Sequence, residues 1–199
     1  MFPKRVLRGT FAPHLTATIT MKRLFSALLP SEAAREHLVS ALRPLRAEFP
    51  HNLRWVDPDN WHITVSFYGE HPNDTSQLTR HLAQAAAACA PLNLRLKGAG
   101  SFGHRTMWMG IGGDGRALKN LMADSDVEPS SQAEMKPHLT IARTKERWAV
   151  AELVHILSVY EGPAFTCDEL VLIESQLGRG RGGGPRYEVV ERITLGWGT

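Results

Sequence analysis

The sequence predicts an α+β protein built of two similar lobes with a cleft between them. A short pattern of histidine, aliphatic residue, threonine and aliphatic residue occurs twice, within residues 61–67 and within residues 137–143. In addition, the order strand, helix, strand, motif strand, helix recurs loosely in each half of the chain, which is typical of an internal duplication. We therefore expect each lobe to contribute one copy of the pattern to the cleft.

The first copy reads Trp-His-Ile-Thr-Val-Ser-Phe over residues 61–67. Polar and apolar residues alternate with the period of a half-buried strand, so that one face is expected to be polar and the other to point into a core. The side chains expected on the polar face are those of His62, Thr64 and Ser66, and those expected in the core are those of Ile63, Val65 and Phe67.

The second copy, Pro-His-Leu-Thr-Ile-Ala-Arg over residues 137–143, repeats this alternation with His138 and Thr140 on the polar face. Strict alternation would place Arg143 on the opposite face, so a bulge would be needed to bring it beside His138. Two such strands facing each other would place two imidazoles and two hydroxyls around one small anionic group.

A single His-x-Thr tripeptide is more often the polar face of an ordinary strand than a catalytic site. Here both copies lie in the same register of aliphatic residues, and each follows a turn-like segment, which favours a functional pair. A third His-x-Thr at residues 14–16 has no such surroundings, and we assign it no catalytic role.

In the first half of the chain, short apolar runs predict strands and longer amphipathic runs predict helices. Ser31, followed by an acidic residue, is the expected N-cap of the first helix. Pro44 can kink that helix because proline lacks the amide hydrogen. The predicted strands are residues 24–28, residues 53–56 and the first motif strand. The predicted helices are one from Ser31 toward Phe49 and one from Asp74 or Thr75 to Pro91.

In the second half, leucines alternating with polar residues over 92–100 predict a strand with one wet face, joined by a turn to a partner over 106–111. Gly112-Gly113-Asp114-Gly115 resembles a phosphate loop but lacks the Lys-Ser/Thr of one, so we interpret it as a plain connector. The remaining predicted elements are a helix over 117–123, a loop over 124–132, a helix over 146–160, and a hairpin of strands over 165–174 and 187–195.

The composition is that of an ordinary globular protein, with 43% hydrophobic and 22% charged residues in a chain of 199. We expect one domain over residues 21–199, and a poorly ordered extension over residues 1–20. No apolar run has the length of a membrane span or of a signal peptide, so a cytoplasmic location is the expectation. We also expect a monomer. Cys89 and Cys167 lack a partner motif and are expected to be buried free thiols.

The net charge of +3 is too small to indicate a nucleic-acid partner by itself, but some cations cluster near the motifs and the glycine-rich segments. They suit a phosphate-bearing ligand, although solvated loop charges are an equally simple interpretation. The cations concerned are Arg105, Lys136, Arg143, Arg179, Arg181 and Arg186. The glycine-rich segment 178–184 is either a flap over a ligand or disordered.

The two motifs together resemble those of the 2H phosphoesterases. From Arg23-Leu24-Phe25-Ser26-Ala27 to Tyr187-Glu188, the chain is most similar to the bacterial RNA 2′,3′-cyclic phosphodiesterase branch, the LigT-like or "2′-5′ RNA ligase" proteins. The resemblance covers residues 21–199. It implies a bilobal, duplicated fold in which two mostly antiparallel sheets face a central cleft with helices outside.

Opening a 2′,3′-cyclic phosphate requires one group that takes a proton from water and another that protonates the departing ribose oxygen. Two histidines suit both tasks, because their pKa near 6.5 allows one to be neutral and the other charged. The hydroxyls of Thr64 and Thr140 can bond the non-bridging phosphate oxygens. The two histidines are interchangeable by symmetry, and it is the resemblance that implies His62 as proton donor and His138 as proton acceptor.

The resemblance also implies a phosphate contact from Arg143, whose spacing matches a His-x-Thr-x-x-Arg ending. Aromatic residues and further cations are candidates for substrate binding, while Trp55 and Trp108 fit core packing better. The substrate-binding candidates are Phe102, Arg105, Arg179, Arg181 and Tyr187.

The predicted function is hydrolysis of 2′,3′-cyclic phosphate RNA ends to 2′-phosphomonoesters, with RNA or oligonucleotide ends as partners. A 2′-5′ RNA ligase, a phosphodiesterase of small cyclic nucleotides, and a non-catalytic module that binds RNA ends are the alternatives. A hydrolytic zinc site takes about three protein ligands, and each motif offers a hydroxyl where a second ligand would stand. We therefore predict neither metal nor other cofactor.

Overall fold

The computed structural model describes residues 21–49, 53–127, 136–146 and 150–196. The predicted extension over residues 1–20, with the third His-x-Thr, lies outside the described residues, as does the segment 128–132 of the predicted loop. No helix in the described ranges is long and apolar enough to cross a membrane.

Strands and helices alternate along most of the described chain. The strands are β1 (Met21–Leu28), β2 (Arg54–Trp55), β3 (Ile63–Pro72), β4 (Leu92–Phe102), β5 (Thr106–Gly113), β6 (His138–Arg143), β7 (Phe165–Cys167), β8 (Glu169–Gln176) and β9 (Arg186–Thr194). The α-helices are α1 (Glu32–Glu48), α2 (Ser76–Ala87), α3 (Gly115–Ser125) and α4 (Ala151–Ile156). Short 3₁₀ turns lie at Pro58–Asn60, Leu157–Val159 and Arg181–Gly183.

The strands form one curved antiparallel sheet in the order β7-β4-β5-β6-β3-β1-β8-β9, and β2 pairs with β6. The two motif strands, β3 and β6, lie next to each other at its centre, where Ile63 is opposite Leu139. In each half of the sheet, the innermost strand is therefore a motif strand. The α+β class and the two-lobed arrangement are confirmed, and the two half-sheets are joined through this central pair.

One face of the sheet packs against the helices and holds the main core. Ser31 caps α1 as predicted, accepting a hydrogen bond from the amide of Ala34 at 3.2 Å. The helix continues through Pro44 and buries Leu38 and Leu42 completely, and each such leucine contributes roughly 1.5–3 kcal/mol. Cys89 and Cys167 are buried free thiols, as predicted. A second, smaller cluster on the other face consists of Phe25, Ala27, Val171 and Ile173.

Two predicted elements differ from the structure. Residues 147–149 of the helix expected over 146–160 lie outside the described residues; in the described part, α4 is followed by a 3₁₀ turn, where the hydroxyl of Ser158 donates to the carbonyl of His155 at 2.7 Å. The strand expected over 165–174 is divided at Asp168, whose carbonyl accepts from the amide of Leu195 at 2.7 Å. Its first part, β7, pairs with β4, while β8 pairs with β1 and β9, so the chain passes there from one half-sheet to the other.

Candidate active site

A β-bulge interrupts the alternation of the first motif strand. Thr64 is opposite Ala27 of β1 and Ser66 is opposite Ser26, which leaves Val65 as the extra residue. After the bulge, each following side chain projects from the face opposite to the one that strict alternation predicts. Ser66 is therefore fully buried, and Phe67 is 52% exposed. The prediction for these two residues was wrong, because strict alternation cannot anticipate an inserted residue.

The second motif strand has its bulge at the equivalent position. Thr140 is opposite Trp108 and Ala142 is opposite Met107, which leaves Ile141 as the extra residue of this ladder. Ala142 is therefore buried, and Arg143 returns to the face that carries Thr140. The strand therefore contains the bulge that was predicted to be necessary for Arg143 to lie on the same face as His138. In both motifs the extra residue lies three positions after the histidine, as expected of a duplicated unit.

The central pair of Ile63 and Leu139 aligns the two motifs. Both side chains are fully buried in the core, so their sequence neighbours project from the opposite face of the sheet. Extending the antiparallel register by one residue in each direction places His62 across from Thr140, and Thr64 across from His138. Diagonal neighbours in such a ladder are about 7–8 Å apart, which leaves room for one phosphate group between the two histidines.

Each histidine is fixed by a carbonyl two residues before it. Nδ1 of His62 lies 2.8 Å from the carbonyl oxygen of Asn60, and Nδ1 of His138 lies 2.7 Å from that of Lys136. A carbonyl can only accept, so Nδ1 carries the hydrogen in both rings. Both Nε2 atoms are then the ones that can exchange a proton with a ligand in the cleft.

Aromatic rings hold both imidazoles from the side. Phe25 and Tyr187 lie 4.8 and 5.2 Å from His62 between ring centroids, with Tyr187 edge-on. Phe102 lies edge-on to His138 at 4.9 Å, and Trp108 lies at 6.2 Å. Trp108 is only 7% exposed, but it packs against Phe102 and His138 and is not part of the main core cluster.

Burial lowers the pKa of both histidines. The pKa of His62 falls to about 4, mainly through burial, with smaller contributions from the charges of His138 and Arg143. The pKa of His138 is also lowered, again by burial and by the charge of Arg143. These mutual effects place His62, His138 and Arg143 within electrostatic reach of one another. Both rings are neutral at pH 7, and a bound anion would raise both pKa values.

Residues 29–179 match the sequence profile of the 2′-5′ RNA ligase superfamily, which is more than half of the chain. The chain belongs to this superfamily. Its expected membership of the 2H phosphoesterases is thereby confirmed.

Curated relatives of this superfamily member carry a common name. A protein of Thermus thermophilus named RNA 2′,3′-cyclic phosphodiesterase is 30% identical over 87% of this chain and 90% of its own length. One of the same name from Aquifex aeolicus is 28% identical over 72% of this chain and 82% of its own length. At the level of the family, the expectation of a phosphoric diester hydrolase is confirmed.

Solved structures agree with the fold of the superfamily member. Crystal structures of Escherichia coli LigT, without ligand and complexed with 3′-AMP, align with TM-scores of 0.65 and 0.64 at 26% identity. The alignments cover 88% of this chain and 98% and 99% of LigT.

The other predicted contacts lie on two exposed segments of the chain. Arg105 is exposed in the turn that follows Phe102. Arg179 and Arg181 lie on the glycine-rich loop, where the Arg181 side chain is 92% exposed and approaches Asp57 at 3.7 Å. Backbone hydrogen bonds order this loop, including one from the amide of Gly180 to the carbonyl of Gly184 at 2.8 Å. It adjoins the turn that precedes His62, since Arg181 approaches Asp57 and the side chain of Asn60 donates to the carbonyl of Pro185.

Sequence reasoning missed the contribution of Phe25 and the backbone carbonyls of Asn60 and Lys136. The sequence did contain a signal for Phe25. Side chains alternate along β1, so Phe25 projects from the face of the sheet that does not carry the core residues Leu24 and Leu28. Among the described residues there is no group of three or more His, Cys, Asp or Glu side chains placed to hold a metal ion.

Proposed function

We propose that the protein hydrolyses the 2′,3′-cyclic phosphate at the 3′ end of RNA to a 2′-phosphomonoester, by two-histidine acid–base catalysis without a metal. The observation that carries this proposal is the placement of both His-x-Thr pairs on one face of the sheet, around the pair of Ile63 and Leu139. The names of the curated relatives support the choice of substrate. Action as a monomer in the cytoplasm stays a prediction.

In the proposed reaction, His138 Nε2 takes a proton from water, and the water oxygen forms a new bond to phosphorus. The bond between phosphorus and O3′ breaks on the opposite side, and His62 Nε2–H gives its proton to O3′. The products are a free 3′-hydroxyl and a 2′-phosphate. Because the histidines are carried by separate halves of the sheet, they can approach the phosphorus from the two sides that in-line displacement requires. Each such group typically contributes about 10²–10⁴-fold in rate.

The remaining motif side chains orient the phosphate. Thr64 and Thr140 donate hydrogen bonds to its non-bridging oxygens from opposite strands, and the Arg143 guanidinium compensates the charge that develops on them. Tyr187 and Phe102 contact the nucleoside on the His62 and His138 sides, respectively. Arg105, Arg179 and Arg181 would act only on parts of a longer substrate.

The lowered pKa of His62 fits the role of donor only with substrate bound. The phosphodiester anion offsets the repulsion from Arg143 and from His138, and it raises the pKa of His62 toward the value that a donor at neutral pH needs. The reverse assignment, with His138 as donor, is the second candidate. It is favoured by the fact that His62 is the histidine more strongly disfavoured in its charged form.

Other activities use the same site with a different partner. If a 5′-hydroxyl of RNA replaced water, the same displacement would form a 2′-5′ linkage, and a small cyclic nucleotide could replace the RNA end. A module that only binds RNA ends would have no need for two aligned Nε2 atoms.

The test is the hydrolysis of a trinucleotide with a 2′,3′-cyclic phosphate end, followed by phosphorus NMR of the product. We expect a 2′-phosphate, and we expect His62→Ala and His138→Ala each to lose about 10²-fold or more in kcat. His71→Ala, which changes another histidine of β3, is the matched control and should keep the parent rate. A 3′-phosphate product would exclude the proposed direction of opening, and near-parent rates in both motif variants would exclude the mechanism.

A further inference from the structure

A groove of about 680 Å³ runs along β5 from Trp108 to the start of α3. We call it the α3 groove. Its floor is formed by glycines of the central hairpin, and its rim by long cationic side chains. The residues that define it are Trp108, Gly110, Gly112, Arg116, Lys119 and Lys136.

The rim of the α3 groove is positively charged. Arg116 and Lys119 are three residues apart on α3, so they share one face of the helix, and Lys136 lies across the groove. All three are exposed, and no described carboxylate forms an ion pair with them. Lys97, which also lines the groove, is paired with Glu161 at 2.9 Å. Within the described residues, the other rim cations therefore have no carboxylate partner and can contact an anionic ligand.

The acidic residue that precedes α3 does not point its carboxylate toward the first turn of this helix. Asp114 precedes α3, and its carboxylate accepts a hydrogen bond from the amide of Asn93 at 2.8 Å. It forms no hydrogen bond to the first turn of α3, which has no side-chain cap. The free amides of that turn add to the attraction that the rim exerts on an anion.

At two glycines of the floor, a side chain would crowd its neighbours, and at Gly110 it would clash with backbone. A Cβ at Gly110 would lie 2.6 Å from the carbonyl oxygen of Lys97, and one at Gly112 would lie 3.2 Å from Cγ of Arg95. The glycine-rich stretch that the sequence suggested to be a plain connector thus forms part of a channel in which a ligand can approach the backbone closely.

The α3 groove begins at the candidate active site. Gly110 is opposite His138 in the ladder between β5 and β6, and Lys136 holds His138 through its carbonyl. The ammonium of Lys136 lies 4.6 Å above the Trp108 ring, so this ring is covered and not free to stack on a base. The groove therefore presents cationic side chains and backbone atoms to a ligand. It has few groups that could distinguish one nucleic-acid base from another.

We propose that the α3 groove binds the phosphodiester backbone of the nucleotides that precede the cyclic end. The preferred substrate is then a single-stranded oligonucleotide of any sequence and not a cyclic mononucleotide. This inference rests on the proposed function, since it places the cyclic phosphate between His62 and His138. Cationic grooves that follow the backbone are the usual means of binding single strands without sequence preference.

The experiment compares 2′,3′-cyclic AMP with a trinucleotide that ends in the same cyclic nucleotide. For the parent protein we expect kcat/KM to be about tenfold or more higher for the trinucleotide. In a plot of log kcat/KM against the logarithm of salt concentration, the slope for the trinucleotide should be more negative than the slope for 2′,3′-cyclic AMP. The difference should be about 0.7 for each phosphate that the groove binds. Arg116→Glu and Lys119→Glu should each reduce the ratio of the two kcat/KM values about tenfold, and should flatten the salt dependence for the trinucleotide.

Arg43→Glu, an exposed charge reversal on α1, is the matched control and should leave the ratio unchanged. If the parent hydrolyses both substrates equally well, or if the ratio survives both groove variants, the inference is wrong while the proposed function stands. If neither substrate is hydrolysed, the proposed function fails with it. The salt dependence of the parent tests the inference even if a variant does not fold.

Discussion

Ile63 and Leu139 are opposite each other in the ladder that joins the two halves of the sheet. An approximate two-fold axis through this pair exchanges the two motifs, with their carbonyl-bound histidines and their bulges at Val65 and Ile141. The surroundings break this symmetry. His62 lies among Phe25 and Tyr187, whereas His138 adjoins the cationic α3 groove. The two chemically equivalent histidines can therefore take different parts in one reaction.

The division of roles can be tested with a substrate in which sulfur replaces the bridging O3′. A thiolate leaves without being protonated, so loss of the donor should matter little for it. We expect His62→Ala to recover most of its lost rate on this substrate, by about tenfold or more, and His138→Ala to recover none. Recovery in His138→Ala alone would establish the reverse assignment, the one favoured by the strongly lowered pKa of His62.

The pH dependence should reflect the lowered pKa values. Catalysis needs one neutral and one charged histidine, and in the free protein this state is most populated between the two pKa values. One of these is about 4, and both lie below 6.5. We expect kcat/KM to reach its maximum below pH 6.5, and kcat to reach its maximum at higher pH, because the bound anion raises both pKa values. A kcat/KM maximum above pH 7 would contradict this.

Arg143 should influence both binding and titration. Arg143→Ala removes a cation from the phosphate, and we expect kcat/KM to fall about 10–100-fold. Because the charge of Arg143 lowers the pKa of both histidines, its removal should also move the kcat/KM profile to higher pH. Arg143→Lys keeps the charge and should keep the profile in place. A merely structural role would lower activity without moving the profile.

A buried hydroxyl network should stabilise the central strands. The Tyr68 hydroxyl lies 2.7 Å from Ser26 Oγ and donates to the carbonyl of Ser125 at 3.2 Å. Tyr68→Phe leaves the buried partners unsatisfied, and we expect the free energy of unfolding to fall by about 1–2 kcal/mol with little change in kcat. Tyr160→Phe, which removes an exposed hydrogen bond to His37, is the control. Urea denaturation should show a smaller loss in its free energy of unfolding.

A chelator should leave the activity intact. Two imidazoles and water supply every proton that the proposed reaction moves, so we expect dialysis against EDTA to change kcat by less than about twofold. Loss of activity, restored by adding back Zn²⁺ or Mg²⁺, would show that a metal ion takes part.

The motif residues could be predicted because alternation over a short strand is a local property. Thr64 and Thr140 are each two residues from a histidine, so one strand geometry suffices to place each pair on a common face. The exchange of Ser66 and Phe67 could not be predicted in this way. It depends on which residue of β1 pairs with which residue of β3, and that register involves residues distant in the chain.

The sequence by itself determined the two motifs, the first helix with its Ser31 cap, and the α+β class, because these follow from patterns within a few neighbouring residues. Only the tertiary structure decided that β3 and β6 are adjacent, that Arg143 shares the face of both histidines, and that the central glycines form a cationic groove. These features arise from pairing and packing between segments that are distant in the chain, where chain geometry and not local propensity sets the outcome.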